Sequence, residues 1–179
     1  MELFKRDGIH FLPAEEINTD ISSFASPNDA DVFLKENKTY IEWCIQALHY
    51  SKGYCIALPQ ISMYEARQNR NLIILPNNMY FNVQVEPFLD KGKRKSKEKS
   101  YSFFEAKKSF EIYRYKKILF SYTVPKKFDK GYIWDRKTKV LYFSKNESIP
   151  PMAVIIQHAY DYVSGNLNVL RDKIRGDQK

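Results

Sequence analysis

Apolar positions first recur at helical spacing between residues 28 and 53. In "NDADVFLKENKTYIEWCIQALHYSKG", Ile41, Cys44, Ile45 and Leu48 share one face, and Glu42 and Gln46 fall on others. Ser26-Pro27-Asn28 supplies a start signal and Gly53 lies just past the end. One amphipathic helix packed on a sheet is therefore predicted. The pattern then shortens to β-like runs, "YCIALPQI", "NLIILP" and "MYFNVQVEP". "SYSFFEAKKSFEIYRYKKILFSYTVP" predicts strand, turn and strand. "GYIWDRKTKVLYFS" predicts a hairpin, because polar "DRKTK" separates two β-rich arms. Helical spacing returns in "SIPPMAVIIQHAYDYVSGNL". Pro150 and Pro151 fit its first turn, Ile155, His158, Tyr162 and Val163 line one face, and Gly165 sits near its end.

The order is helix, consecutive strands, helix. Strands that do not alternate with helices predict an α+β fold rather than a doubly wound sheet. No internal repeat interrupts it, and 179 residues suit one domain spanning 1–179. A chain of this size buries about 70% of its unfolded surface, so it needs no disulfide. Cys44 and Cys55 are the only cysteines. The N-terminus, "MELFKRDGIHF", lacks the apolar stretch that export requires, and no twenty-residue apolar run occurs. These features lead us to expect a soluble protein, cytoplasmic or, in a eukaryotic source, organellar, with no membrane partner.

Charge adds one possible partner. The net charge is +8, which is compatible with an anionic partner such as RNA or the ribosome. Much of the excess lies in "KGKRKSKEK", 91–99, with six basic residues against Glu98. This reads as a mobile, solvated loop at about 90–100, with a ribosome or rRNA contact as its functional alternative. No aromatic residue interleaves with the charges inside the run, so no stacking platform is expected there. The tail at 168–179 is short and mixed in charge. His10 and His49 have no metal-ligand spacing.

Three short segments occur in order: "GYCIALPQ" at 53–60, "EAKKS" at 105–109 and "QHAYDYVSG" at 157–165. Together they resemble the three motifs of the peptide deformylases, G-x-G-L-A-A-x-Q, E-G-C-L-S and Q-H-E-x-D-H-x-x-G. The resemblance spans about Gly53 to Leu167. Asn82 in "YFNVQVEP" resembles the family's I-N-P strand. Arg114 stands five residues after Ser109, where bacterial members carry a substrate-binding arginine. The resemblance implies a deformylase-like fold: antiparallel or mixed sheets around a central C-terminal motif helix, preceded by an N-terminal helix. It also implies a groove for an extended peptide or protein N-terminus beside Gly53, Cys55, Ile56, Gln60, Lys107, Lys108, Ser109, Arg114, His158 and Tyr162.

Matched position by position, Gln60 stands where the family stabilises the oxyanion, and His158 where it holds Fe2+ or Zn2+. The other two ligand positions hold Lys107 and Tyr162, and the acid/base position holds Ala159. Lysine is a cation with no lone pair, and tyrosine is normally protonated. One imidazole does not hold zinc or iron tightly. The expectation is therefore a metal-free, inactive member with no cofactor, its ligand positions Lys107, His158 and Tyr162 degenerate. Its Lys107 ammonium would fill the vacated metal site. It would bind a peptide, a nascent chain or a partner. The alternatives are an enzyme of altered chemistry, such as an amide hydrolase or a Cys55–His158 dyad, and a structural subunit whose pocket is filled by Phe103, Phe104 or Tyr162.

Overall fold

The computed structural model describes residues 9–12, 16–63, 66–67, 69–98, 110–129, 131–143 and 151–168. Glu105, Lys107, Lys108 and Ser109 lie outside them, as do Phe103 and Phe104, so the second motif and the filling of a metal site by Lys107 have no structural counterpart below.

A small antiparallel sheet is formed by β1 (Ile9–Phe11), β3 (Ile61–Met63) and β4 (Ala66–Arg67), in the order β1-β3-β4. The main sheet has five strands: β2 (Ile56–Ala57), β5 (Leu72–Leu75), β6 (Asn78–Pro87), β9 (Lys117–Phe128) and β10 (Gly131–Tyr142). Their spatial order is β10-β9-β6-β5-β2, and every pairing is antiparallel. A separate ribbon pairs β7 (Lys93–Glu98) with β8 (Phe110–Tyr115).

Among the described residues, three α-helices complete the fold: α1 (Pro27–Glu36), α2 (Lys38–Ser51) and α3 (Met152–Val163). The single N-terminal helix predicted from periodicity is thus two helices, parted at Asn37. The Asn37 side-chain amide donates to Phe33 O at 2.9 Å, sharing that carbonyl with the Asn37 backbone N–H at 3.0 Å. Ser26 caps α1 through a bond from Asp29 N to its Oγ, with Pro27 at the first helical position. At the other end, Gly53 N donates to Leu48 O and Lys52 N to His49 O. That is a Schellman closure, with Lys52 left-handed at φ 55°.

Strand alternation gives the main sheet two covered faces. Leu72, Ile74, Ile56 and Phe81 point to α1 and α2, where they join Tyr40, Cys44 and Leu48. Ile73, Leu75, Ala57, Val83 and Phe120 point to α3, where they meet Ile155, Ile156 and Ala159. Both faces are buried, which explains the unbroken apolar run in β5.

Two further expectations need correction. The segment 131–142 is no hairpin but one continuous strand, in register with β9 from Gly131↔Phe128 to Tyr142↔Lys117. β10 lies at the sheet edge and is largely exposed, so its polar "DRKTK" marks solvent rather than a turn. Likewise 93–98 is no loop. It is a strand whose inward residues, Arg94, Ser96 and Glu98, are polar, so no hydrophobic alternation betrays it.

Side-chain amides supply pairing where strands end. Asn71 exchanges two bonds with the Val83 backbone, and Asn82, left-handed at φ 49° beside a bulge in β6, does the same with Phe24. Gln157 on α3 accepts from Tyr115 N at 2.8 Å and donates to Tyr115 O at 3.0 Å, tying the helix to the ribbon.

Candidate functional site

α3 presents His158 and Asp161 to the inward face of the β7–β8 ribbon. Residues 158 and 161 are one helical turn apart and so share a side of the helix. On the ribbon, Glu98 and Arg114 alternate inward with Ser96 and Ile112, and all four are buried. The result is an internal ionic cluster. Arg114 Nε donates to Glu98 Oε1 at 2.7 Å and Nη2 to Oε2 at 2.9 Å, a bidentate fork. Its Nη1 donates to Asp161 Oδ2 at 2.6 Å. His158 Nδ1 lies 2.9 Å from Glu98 Oε2.

The two acids differ. Burial pushes the Glu98 carboxyl up, but hydrogen bonds from Arg114 and His158, with their charges, outweigh it and hold Glu98 below the usual range. Asp161 goes the other way: burial pushes it up by more than Arg114 pulls it down. Arg114 is raised. Burial alone would lower it, and its two carboxylate partners reverse that. An ionised Glu98 accepts and cannot donate, so His158 Nδ1 is the donor between them. The His158 and Tyr162 rings are tilted neighbours, with centroids 5.5 Å apart.

Cys55 completes the setting. It is fully buried, and burial with the nearby Glu98 charge pushes its thiol up to about 12. A thiol in that state is protonated and inert, so the geometry gives no support to a Cys55–His158 nucleophile. Ala159 and Tyr162 are both buried within the apolar cluster under the sheet. Neither residue exchanges a proton with substrate at neutral pH.

The residues named from the sequence are therefore placed as follows. Gln60 is buried in the 3₁₀ turn Leu58–Gln60, where its Oε1 accepts from Ala57 N at 2.9 Å. Ile56 is core, wholly buried in β2. Gly53 closes α2. Arg114 requires correction: it is 5% exposed and engaged by two carboxylates, so it holds the interior together rather than facing a substrate. Glu98 was missed. It stood inside a charged run that read as solvated. The period-two contrast of Lys93, Lys95 and Lys97 with Arg94, Ser96 and Glu98 was the signal that could have found it.

Among the described residues, the donors around His158 do not fit a divalent metal. Both Glu98 oxygens are taken up by Arg114 and His158, and the Cys55 thiol is far from ionising. Among the described residues no three His, Cys, Asp or Glu side chains are grouped to hold one. Also among the described residues, no helix is long and apolar enough to cross a membrane. No protein-family model matches the chain, and no curated protein matches it.

Proposed function

We propose that the chain is a non-catalytic, metal-free relative of the peptide deformylases that binds an extended peptide or a protein N-terminus. One observation carries this reading. The one imidazole at the position of a family metal ligand is tied through Nδ1 to Glu98, and Glu98 is itself forked by Arg114. Alanine stands beside it where the acid/base group would be. The Glu98 carboxylate, the Arg114 guanidinium and His158 Nδ1 engage one another in the interior, so among the described residues of the cluster these groups are not placed as a general base at the surface. The resemblance implies binding by strand addition beside residues 53–60. Ile56 and Ala57 themselves are buried and the Ala57 N–H is held by Gln60 Oε1, so the peptide would pair outside those two residues.

The test has two arms. Purified protein is analysed for iron and zinc and assayed for formate release from a formyl-methionyl peptide. It is then titrated with an unformylated extended peptide and with the same peptide N-methylated along its backbone. The reading expects no stoichiometric metal, no formate, and binding of the plain peptide that N-methylation abolishes. Formate release with bound iron or zinc would overturn it, as would equal binding of both peptides.

A further inference from the structure

The outward face of the β7–β8 ribbon has a different chemistry from the inward one. Lys93, Lys95 and Lys97 project outward from β7 and are exposed. Opposite them in register stand Tyr115, Tyr113 and Glu111 of β8. Directly paired residues share a face, so a row of three lysines faces Tyr115, Tyr113 and Glu111, with the Glu111 carboxylate in an ion pair with Lys95. Tyr113 is 63% exposed, an unusual position for a ring with apolar area to bury. Lys93 Nζ lies 4.5 Å from the centroid of the Tyr115 ring. The surface continues past the ribbon's end, where Lys117 Nζ lies 4.2 Å from the Phe88 ring and 5.4 Å from that of Tyr142, itself 62% exposed.

The linear sequence concealed this. Inside 91–99 the charges have no aromatic neighbours, but β-pairing interleaves them with the aromatics of a segment about twenty residues away. Successive outward lysines stand about 6.8 Å apart along a strand. That is close to the reach of one nucleotide in an extended single strand. A hollow of about 350 Å³ opens beside the same tyrosines, between β8 and α3, with Tyr160, Asn166 and Gln157 on its far wall. Gln157 is engaged with Tyr115 and Ala153, so the hollow offers a base the rings of Tyr113 and Tyr160, the Asn166 amide and the edge of the Arg114–Asp161 pair.

We propose that this face binds single-stranded nucleic acid: the β7 lysines track the phosphates, Tyr113 stacks a base, and the hollow beside it receives another. An acidic protein would use the lysines but has no call on the exposed rings. A duplex would hide its base faces from them.

The experiment is fluorescence anisotropy on the whole chain with a labelled oligouridine of about a dozen nucleotides, within the usual site sizes. Oligothymidine of the same length, a matching duplex and a polyglutamate peptide serve as the other arms. Expected are binding of the single strands above the duplex, and log affinity falling linearly with log salt. The triple variant K93Q/K95Q/K97Q should lower that slope by about 2, at about 0.7 per phosphate contact. Tyr113→Ala should weaken binding at least about fivefold, with Tyr113→Phe retaining it. Preference for oligouridine over oligothymidine would assign RNA, and equality would assign either strand by its shared chemistry. Tyr113→Ala binding as tightly as the parent, a duplex binding as well as a single strand, or polyglutamate competing equally would each overturn the proposal. Tyr113 is on the surface, so circular dichroism melting should show that variant folded.

Discussion

The two faces of the five-stranded sheet bury comparable layers of side chain by different means. Under α1 and α2 the cluster is apolar, with Phe24, Phe33 and Phe81 in edge-to-face contact. Under α3 the apolar layer continues into Glu98, Arg114, Asp161 and His158. Each face buries one cysteine, Cys44 on the first and Cys55 on the second. Burial raises both thiols, but only Cys55 is raised further by a neighbouring carboxylate. The difference teaches that packing on the first face is interchangeable in chemistry, whereas the second depends on a fixed set of partners. A buried ion pair adds little net stability over apolar packing, yet its rupture is costly.

The sharpest way to break this contrast is Arg114→Met. It leaves two buried carboxylates facing each other and should cost about 3–5 kcal/mol in urea unfolding. On the other face, Ile74→Ala should cost about 2–5 kcal/mol through the cavity it leaves, with the same loss at every pH. On the acid side, the ionic face alone of these two should be pH-sensitive. Glu98 sits below its ordinary 4.5, so its contribution is fully present above that value and is lost as pH falls through its lower folded value. Asp161, raised above its ordinary 3.8, has the opposite sign: its contribution is present in acid and lost as pH rises through its folded value. Glu98→Gln should therefore flatten the acid limb of a stability–pH curve, while Ile74→Ala should shift the whole curve down unchanged in shape.

Smaller effects separate the two helix ends. Both α2 and α3 close with a left-handed residue, Lys52 on one and Gly165 on the other. A Cβ at Gly165 would overlap the carbonyl of Thr19, so Gly165→Ala should destabilise by more than the about 1–2 kcal/mol of the backbone strain alone. Lys52→Gly should do the reverse, raising stability by up to about 1 kcal/mol, read as a higher Tm.

The apolar face was nearly all legible in the sequence. Ile41, Cys44 and Leu48 lie buried as their spacing requires, and Glu42 and Gln46 are exposed. Only the break at Asn37 escaped, because apolar spacing runs on through it. The ionic face was legible in part. His158 and Asp161 could be found as motif positions, but their partners could not. Glu98 looked solvated, and Arg114 was read as facing outward, because a polar strand on a polar interior carries no hydrophobic period. β10 failed for a related reason: an edge strand in water looks like a turn.

The Gln157 amide at Tyr115 has a consequence for how the molecule meets others of its kind. An exposed strand invites a stranger to zip alongside it, residue after residue. At Tyr115 that zip is jammed by one tooth, since the amide occupies both the N–H and the C=O a newcomer would need. The tooth is anchored a second time, through its donation to Ala153 O in its own helix. It is short, so it closes one slot without offering a next one. The ribbon can display its lysines and tyrosines to solvent while its backbone at Tyr115 is closed to a further copy.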